Sequence, residues 1–429
     1  MIKIYDSKDI ESVRNRLSRK AMVEDSVLDA VRNIIRGVVE RGDEALFEYT
    51  KRFDGFELNA NNIRVTQDEI DAAYRNIPAD LLETLKKSAE NISAFHELQK
   101  KEGYERSLDG AVTGRIVLPM QRAGVYVPGG KAAYPSSVLM NIIPAKIAGV
   151  EQIVMVTPPG KTGVIEPLTL VAAHMAGADQ ILKIGGAQAV AALAYGTQSV
   201  SKVDIITGPG NAYVAAAKRE VYGVVGIDMI AGPSEVLIIA DSSANPAFVA
   251  ADFLSQAEHD EKAASVLLTP DRALAERAAE QIERQLTDLP RRDIAAQSVE
   301  DYGTIVVTAS IDEAFDIANS IAPEHLEILT TKPKSDLNRV RNAGAVFLGE
   351  FSPEPLGDYF AGPNHVLPTS GTARFSSPLS VDAFTKTMNY VYYDKQGLAG
   401  CYQDINRFAK AEGLTAHARS ATIRFEEEK

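Results

Sequence analysis

Thiols are almost missing from this chain. Its 429 residues hold one cysteine, Cys401, and no tryptophan. A single thiol excludes an intramolecular disulfide framework and any cysteine-rich zinc or iron–sulfur site. Cations are short as well: 45 Lys and Arg stand against 58 Asp and Glu, a formal net charge of −13. Nucleic acid or an anionic membrane as the main partner would call for a basic surface. No run reaches the roughly 20 uninterrupted apolar residues that span a bilayer. The most apolar stretch, Val138 to Val150, is broken by Asn141, Pro144 and Lys146. Charges at Lys3, Asp6 and Lys8 leave no signal-peptide core, so a cytoplasmic, enzyme-like protein is expected. Hydrophobic residues at 45% are ample for a buried core over two to four domains. Any metal must be held by His, Asp, Glu, Asn or Gln, and six histidines are few enough to follow singly.

The first hundred residues read as helical. Val27, Ile34, Ile35, Val38 and Leu46 recur at near-helical spacing over Asp25 to Phe53, and Gln67 to Lys101 behaves alike apart from a break at Pro78. From about residue 114 short β-branched runs alternate with alanine-rich helical runs. Strands are expected at Gln152–Pro158, Gln180–Gly185, Val203–Thr207, Glu235–Ala240, Ser265–Thr269 and Thr304–Thr308. Helices fall between them, as at Ala187–Tyr195, Asn211–Tyr222, Pro246–Gln256 and Arg272–Leu286. This rhythm predicts an α/β protein with two α/β units in tandem, without a visible sequence repeat. Gly and Pro cluster at strand ends, and in open α/β sheets ligands bind at the carboxyl ends of strands. Beyond about residue 380 the pattern is irregular, with a helix near Tyr402–Lys410 and an acidic, solvated end at Glu426-Glu427-Glu428.

Four histidines lie in segments able to carry chemistry. On a helix continuing from Pro246, Gln256 and His259 share a face, giving half of a metal site or a polar helix end. Pro323 should end a helix and leave Glu324 and His325 on a turn, where the carboxylate tends to raise the imidazole pKa toward a value suited to proton abstraction. The proline-rich stretch from Ser352 to Thr369 reads as a structured, functional loop offering Asp358 and His365. Glu412 and His417 stand near the C-terminus, whereas His96 and His174 fit helical patterns and read as structural. Gln256, His259, Asp358 and His417 would make a nitrogen- and oxygen-only site, which suits zinc. Separately, Gly208-Pro209-Gly210-Asn211 follows a strand and opens a helix, but Tyr213 stands where a dinucleotide fingerprint has its third glycine. That turn either presents backbone N–H groups to a phosphate or is a tight turn with Asn211 as helix cap.

Together these segments resemble the histidinol dehydrogenase family. The likeness runs essentially end to end, through Gly124-Val125-Tyr126-Val127-Pro128-Gly129-Gly130, Gly185-Gly186-Ala187-Gln188-Ala189, Gly208-Pro209-Gly210-Asn211 and Ala231-Gly232-Pro233-Ser234-Glu235. It continues through Gln256-Ala257-Glu258-His259, Ala322-Pro323-Glu324-His325, Gly357-Asp358-Tyr359, Gly362 to Thr369 and Leu414-Thr415-Ala416-His417.

The resemblance implies oxidation of L-histidinol through L-histidinal to L-histidine, the last two steps of histidine biosynthesis, with two NAD⁺ reduced. It implies a zinc-dependent homodimer with two incomplete Rossmann-like domains. The expected division is a helical region at 1–113, an NAD-contacting domain at 114–234, a domain with zinc and catalytic residues at 235–380, and a segment at 381–429 that reaches the partner subunit. By motif, Gln256, His259, Asp358 and His417 are the zinc ligands and also meet substrate. His325 is the base and substrate contact, and Glu324 activates the water that hydrates the aldehyde. Ser234, His365 and Glu412 contact substrate; Tyr126, Gln188 and Asn211 contact NAD. Glu412 and His417 would complete the partner's site. A related dehydrogenase of another small polar alcohol, a zinc hydrolase and a non-catalytic metal scaffold are the competing readings.

Overall fold

The structure is a computed structural model that describes residues 2–9, 25–129 and 134–426. Gly130 of the motif at 124–130, and Glu427 and Glu428 of the acidic end, lie outside the described residues. The chain divides into two compact units, Met1–Gln99 with Met120–Phe384, and Lys100–Pro119 with Thr385–Lys429.

The first unit opens with strand β1 (Ile4–Asp6) and helices α1 (Asp25–Arg41), α2 (Asp43–Asp54), α3 (Gln67–Arg75) and α4 (Ala79–Glu97). α1 buries Leu28, Val31, Ile34, Ile35 and Val38 on one face, as its spacing predicts. Thr66 and Glu69 form a capping box at the start of α3, and Pro78 is the N-cap of α4, where the helical pattern breaks. After β2 (Tyr104–Leu108) and β3 (Ala111–Pro119) of the second unit, the chain winds a sheet from β4 (Arg122–Tyr126), β5 (Gln152–Val156), β6 (Gln180–Leu182), β7 (Ile205–Thr207) and β8 (Gly226–Ile227). Helices α5 (Pro135–Ala148), α6 (Pro167–Ala176), α7 (Gly186–Tyr195) and α8 (Ala212–Val221) lie between those strands in sequence. The sheet is parallel, in the order β6-β5-β4-β7-β8. Both faces are buried. Val154 and Val156 pack in a core with residues of α1, α7 and α8, and Ile153 and Met155 in a core with residues of α4, α5 and α6. The N-terminal helices thus complete both layers over this sheet.

A second winding follows: β9 (Glu235–Ala240), α9 (Pro246–Ala257), β10 (Ala264–Thr269), α10 (Arg272–Leu286), α11 (Arg292–Tyr302), β11 (Thr304–Val307), α12 (Ile311–Ile321), β12 (His325–Leu329) and β13 (Ala345–Leu348). Its six strands are parallel, in the order β1-β11-β10-β9-β12-β13. Apart from the added β1, that order repeats the first sheet: three strands wind one way and the fourth returns to the other side of the first. The tandem units expected from sequence are therefore one topology used twice. A short helix, α13 (Glu354–Tyr359), interrupts the loop at 352–369.

In the second unit, β3 pairs antiparallel with β2 and with β14 (Thr385–Tyr393). Helices α14 (Lys395–Ala399), α15 (Tyr402–Ala411) and α16 (Thr415–Thr422) follow. Among the described residues no helix is long and apolar enough to cross a membrane.

Candidate active site

The second sheet gathers its candidate residues at its amino edge, not the carboxyl edge that the general rule for open sheets predicts. β9 and β12 are neighbours, with His325 opposite Val236, so Glu235 and His325 both stand at strand starts. A crossover helix runs back against its strands, and the end of α9 therefore returns to the same edge. Gln256 lies in the last turn of α9 and is fully buried; neither atom of its side-chain amide has a hydrogen-bond partner in the described structure. His259 is not on the helix as expected. Glu258 is the C-cap, and the His259 N–H donates to the Gln256 carbonyl at 3.2 Å in the turn beyond.

Of the two residues expected on a turn after Pro323, Glu324 stands at a bend and His325 is already in a strand. Ala322 ends α12 in the left-handed conformation, φ 56°, and His325 already opens β12. Both side chains are buried. Glu324 Oε2 accepts the Glu235 N–H at 2.9 Å and lies 3.8 Å from His325 Nδ1. His325 Nδ1 is 3.2 Å from the Glu235 carbonyl oxygen. A carbonyl can only accept, so Nδ1 carries the proton and donates. Nε2 has no hydrogen-bond partner. Burial outweighs the Asp358 charge and the hydrogen bond to the Glu235 carbonyl and lowers the His325 pKa to about 4, against the rise expected from Glu324. The result is a neutral imidazole with one ring nitrogen fixed and the other open. Burial, joined by the charges of Glu235, Asp358 and Glu354, pushes Glu324 well above the ordinary carboxyl range.

Glu354 is a member of this group that sequence reasoning missed. It is 1% exposed at the start of α13, and its N–H donates to Glu327 Oε1 at 2.9 Å. Its Oε1 stands 3.9 Å from His325 Nε2. His259, Glu354 and Asp358 each offer a ligand atom within 4.8 Å of the others, a grouping that could hold a metal ion. Burial raises Glu354 to about 9, and Asp358 adds to the rise. Burial would also raise Asp358, but hydrogen bonds from His365 and Glu354 prevail and hold it well below the usual carboxylate range. His365 Nδ1 donates to the Asp358 carbonyl at 3.0 Å, and Nε2 lies 3.4 Å from the Ser137 hydroxyl. Ser234, just before β9, is half-buried at the same edge. A cavity of about 590 Å³ is lined by His325, Phe347, Asp358, His365 and Leu367, a volume suited to a small ligand.

The N-terminal helix α4 holds the loop that presents Asp358 and His365. Ser88 Oγ donates to the Tyr359 carbonyl at 2.6 Å and Asn91 Nδ2 to the Phe360 carbonyl at 2.8 Å. Asn364 Nδ2 donates to the Met140 carbonyl at 2.7 Å and lies 3.2 Å from Nε2 of the buried His96.

The first sheet keeps its candidates at the carboxyl edge, beside the point where the winding reverses between β4 and β7. Tyr126 ends β4, buried, and its hydroxyl accepts the Gly186 N–H at 3.0 Å. Burial pushes the Tyr126 pKa up to about 12. Gln188 is buried in the first turn of α7 with no hydrogen-bond partner for its amide. Asn211 caps α8, its Oδ1 accepting the N–H groups of Tyr213 and Val214 at 3.0 and 3.2 Å. The cap uses the carbonyl oxygen and leaves the amide NH₂ on an exposed residue.

In the second unit, Glu412 is the C-cap of α15 and His417 lies in α16; both are exposed. They line one concavity with Ile405, Phe408 and Leu414.

Two sheets of one doubly wound order, with an open imidazole among buried carboxylates at one edge, put this chain among the α/β enzymes. It belongs to the histidinol dehydrogenase family of oxidoreductases: the family model described as histidinol dehydrogenase matches residues 17–425. The chain is 56% identical over 402 residues to histidinol dehydrogenase of Halalkalibacterium halodurans, covering 94% of each sequence. It is 54% identical over 428 residues to that of Caldanaerobacter subterraneus subsp. tengcongensis, covering 99% of each. The crystal structure of histidinol dehydrogenase from Elizabethkingia anophelis matches with a TM-score of 0.93 at 39% identity, over 99% of this chain and 98% of that one.

Proposed function

We propose that this protein oxidises L-histidinol through L-histidinal to L-histidine with two molecules of NAD⁺, with zinc at the amino edge of the second sheet. The observation that carries the chemistry is His325: Nδ1 is tied to the Glu235 carbonyl while Nε2 is open. Loss of hydride from an alcohol carbon needs removal of the hydroxyl proton, and Nε2 is a lone pair ready for it. An aldehyde must be hydrated before a second hydride can leave. Glu324, buried beside His325, is the group for taking the proton of the attacking water while the His325 imidazolium returns the alcohol's proton to the aldehyde oxygen; His325, neutral again, then takes a proton of the resulting gem-diol as the second hydride leaves.

The unpartnered amide of Gln256 and the grouping of His259 with Asp358 fit a divalent ion. We assign Gln256, His259 and Asp358 as ligands, joined by His417. Zinc there would orient the substrate's nitrogen groups for reaction. Ser234, His365 and Glu412 are assigned to substrate, and Tyr126, Gln188 and Asn211 to NAD, whose nicotinamide accepts the hydride. We further propose a homodimer in which Glu412 and His417 of one copy serve the other's site; their exposure supports this.

His325→Asn tests the reading. The variant should fold and hold zinc as the parent does, with turnover of L-histidinol lower by roughly 10²–10⁴-fold, the range for loss of a general base. Turnover at the parent's rate would remove His325 from the mechanism.

A further inference from the structure

A buried ion pair lies under the first sheet's glycine turn. Lys218 on α8 and Asp228 just after β8 pair directly, with side chains 3% and 1% exposed. Both also bond one residue: Asp228 Oδ2 accepts the Gly208 N–H at 2.8 Å, and Lys218 Nζ donates to the Gly208 carbonyl at 3.0 Å. The Met229 N–H adds a bond to Asp228 Oδ1 at 2.6 Å. Gly208 has φ +110°, and a Cβ there would lie 2.0 Å from the Tyr126 carbonyl oxygen. The clamped residue therefore rests on Tyr126 and, three residues on, delivers Asn211 to the start of α8. Desolvating two charges costs several kcal/mol, and an apolar pair of similar size is often no less stable. What an apolar pair could not do is grip the Gly208 peptide groups on both sides.

We propose that Lys218 and Asp228 are positioning residues for nucleotide binding: their ion pair fixes the Gly208–Asn211 turn in the shape that receives NAD. This rests on the assignment of Asn211 to NAD above. The test is steady-state kinetics with L-histidinol and NAD⁺ on the zinc-loaded protein, with calorimetric titration of NAD⁺. Asp228→Asn keeps the shape and removes the charge. Lys218→Met/Asp228→Leu removes both charges, so it leaves no lone buried ion and carries the test if the single variant does not fold. KM for NAD⁺ should rise about tenfold in either, while KM for L-histidinol changes less than twofold and zinc content is unchanged. A double variant with parental melting temperature and parental KM for NAD⁺ would overturn the proposal, as would an equal rise in both KM values. Asn211→Ala separates the two claims. If it weakens NAD⁺ and the clamp variants do not, the clamp fails and the assignment of Asn211 stands. If the clamp variants weaken NAD⁺ and Asn211→Ala does not, the clamp stands and Asn211 is not the contact. If none of them does, both fall.

Discussion

At the scale of single residues, the site depends on which groups hold protons. Glu324 is buried against His325, and its proposed task belongs to aldehyde hydration alone. Glu324→Gln should therefore slow oxidation of L-histidinal far more than the first oxidation, by at least tenfold when the two are assayed separately. Equal losses in both would remove Glu324 from hydration. His325 also links stability to pH. The unfolded chain protonates it near pH 6.5, the folded chain only near 4. Between those values the unfolded state binds more protons. The contribution is thus whole above about pH 7 and shrinks as pH falls from 6.5 to 4, by roughly 3 kcal/mol. In metal-free protein, His325→Asn should flatten that limb of the melting-temperature profile; a limb of unchanged steepness would contradict the tautomer and burial argued here. Sequence spacing was enough to single out Glu324, His325, Asp358 and His365. It could not single out Glu354, a carboxylate between two prolines with no periodic pattern, whose importance comes from burial beside His325. Nor could it show that burial would outweigh the carboxylate and lower the His325 pKa.

At the scale of elements, local pattern and long-range pairing separate cleanly. α1, α10 and β9 run as their spacing predicts, because apolar periodicity is a local signal. β14 does not: its residues are mostly exposed in this chain, and it pairs with β3, some 270 residues earlier. Neither fact leaves a mark in a short window, so the stretch after 380 read as irregular. The position of Gln256 and His259 at an amino edge likewise follows from the return direction of α9, which only the sheet order reveals. The loop after α13 offers a test of how elements hold the site. Gly362 has φ +105°, and a Cβ there would meet the Asn91 carbonyl oxygen of α4 at 2.7 Å. Gly362→Ala should cost about 1–3 kcal/mol in stability. Because it displaces the loop that bears Asp358 and His365, it should also raise KM for L-histidinol more than KM for NAD⁺. Parental KM values together with lowered stability would show that α4 supports the fold but not the site.

At the scale of the whole molecule, one winding used twice gives two edges with different work. The first sheet keeps Tyr126, Gln188 and Asn211, the residues proposed for NAD, at its carboxyl edge, and the second gathers imidazole and buried carboxylates at its amino edge. With no thiol outside Cys401, which caps α15 and belongs to none of the motifs in the sequence, the proposed route from aldehyde to acid runs through a hydrate and not through a thiohemiacetal. That route makes both oxidations the work of one site. The most direct measurement is the yield of NADH and the identity of the product from a limiting amount of L-histidinol with excess NAD⁺, before and after chelation and with zinc restored. Two NADH per L-histidinol, with L-histidine as product, loss of turnover on chelation and recovery with zinc are predicted. One NADH with free L-histidinal accumulating, or no NAD⁺ reduction at all, would contradict it.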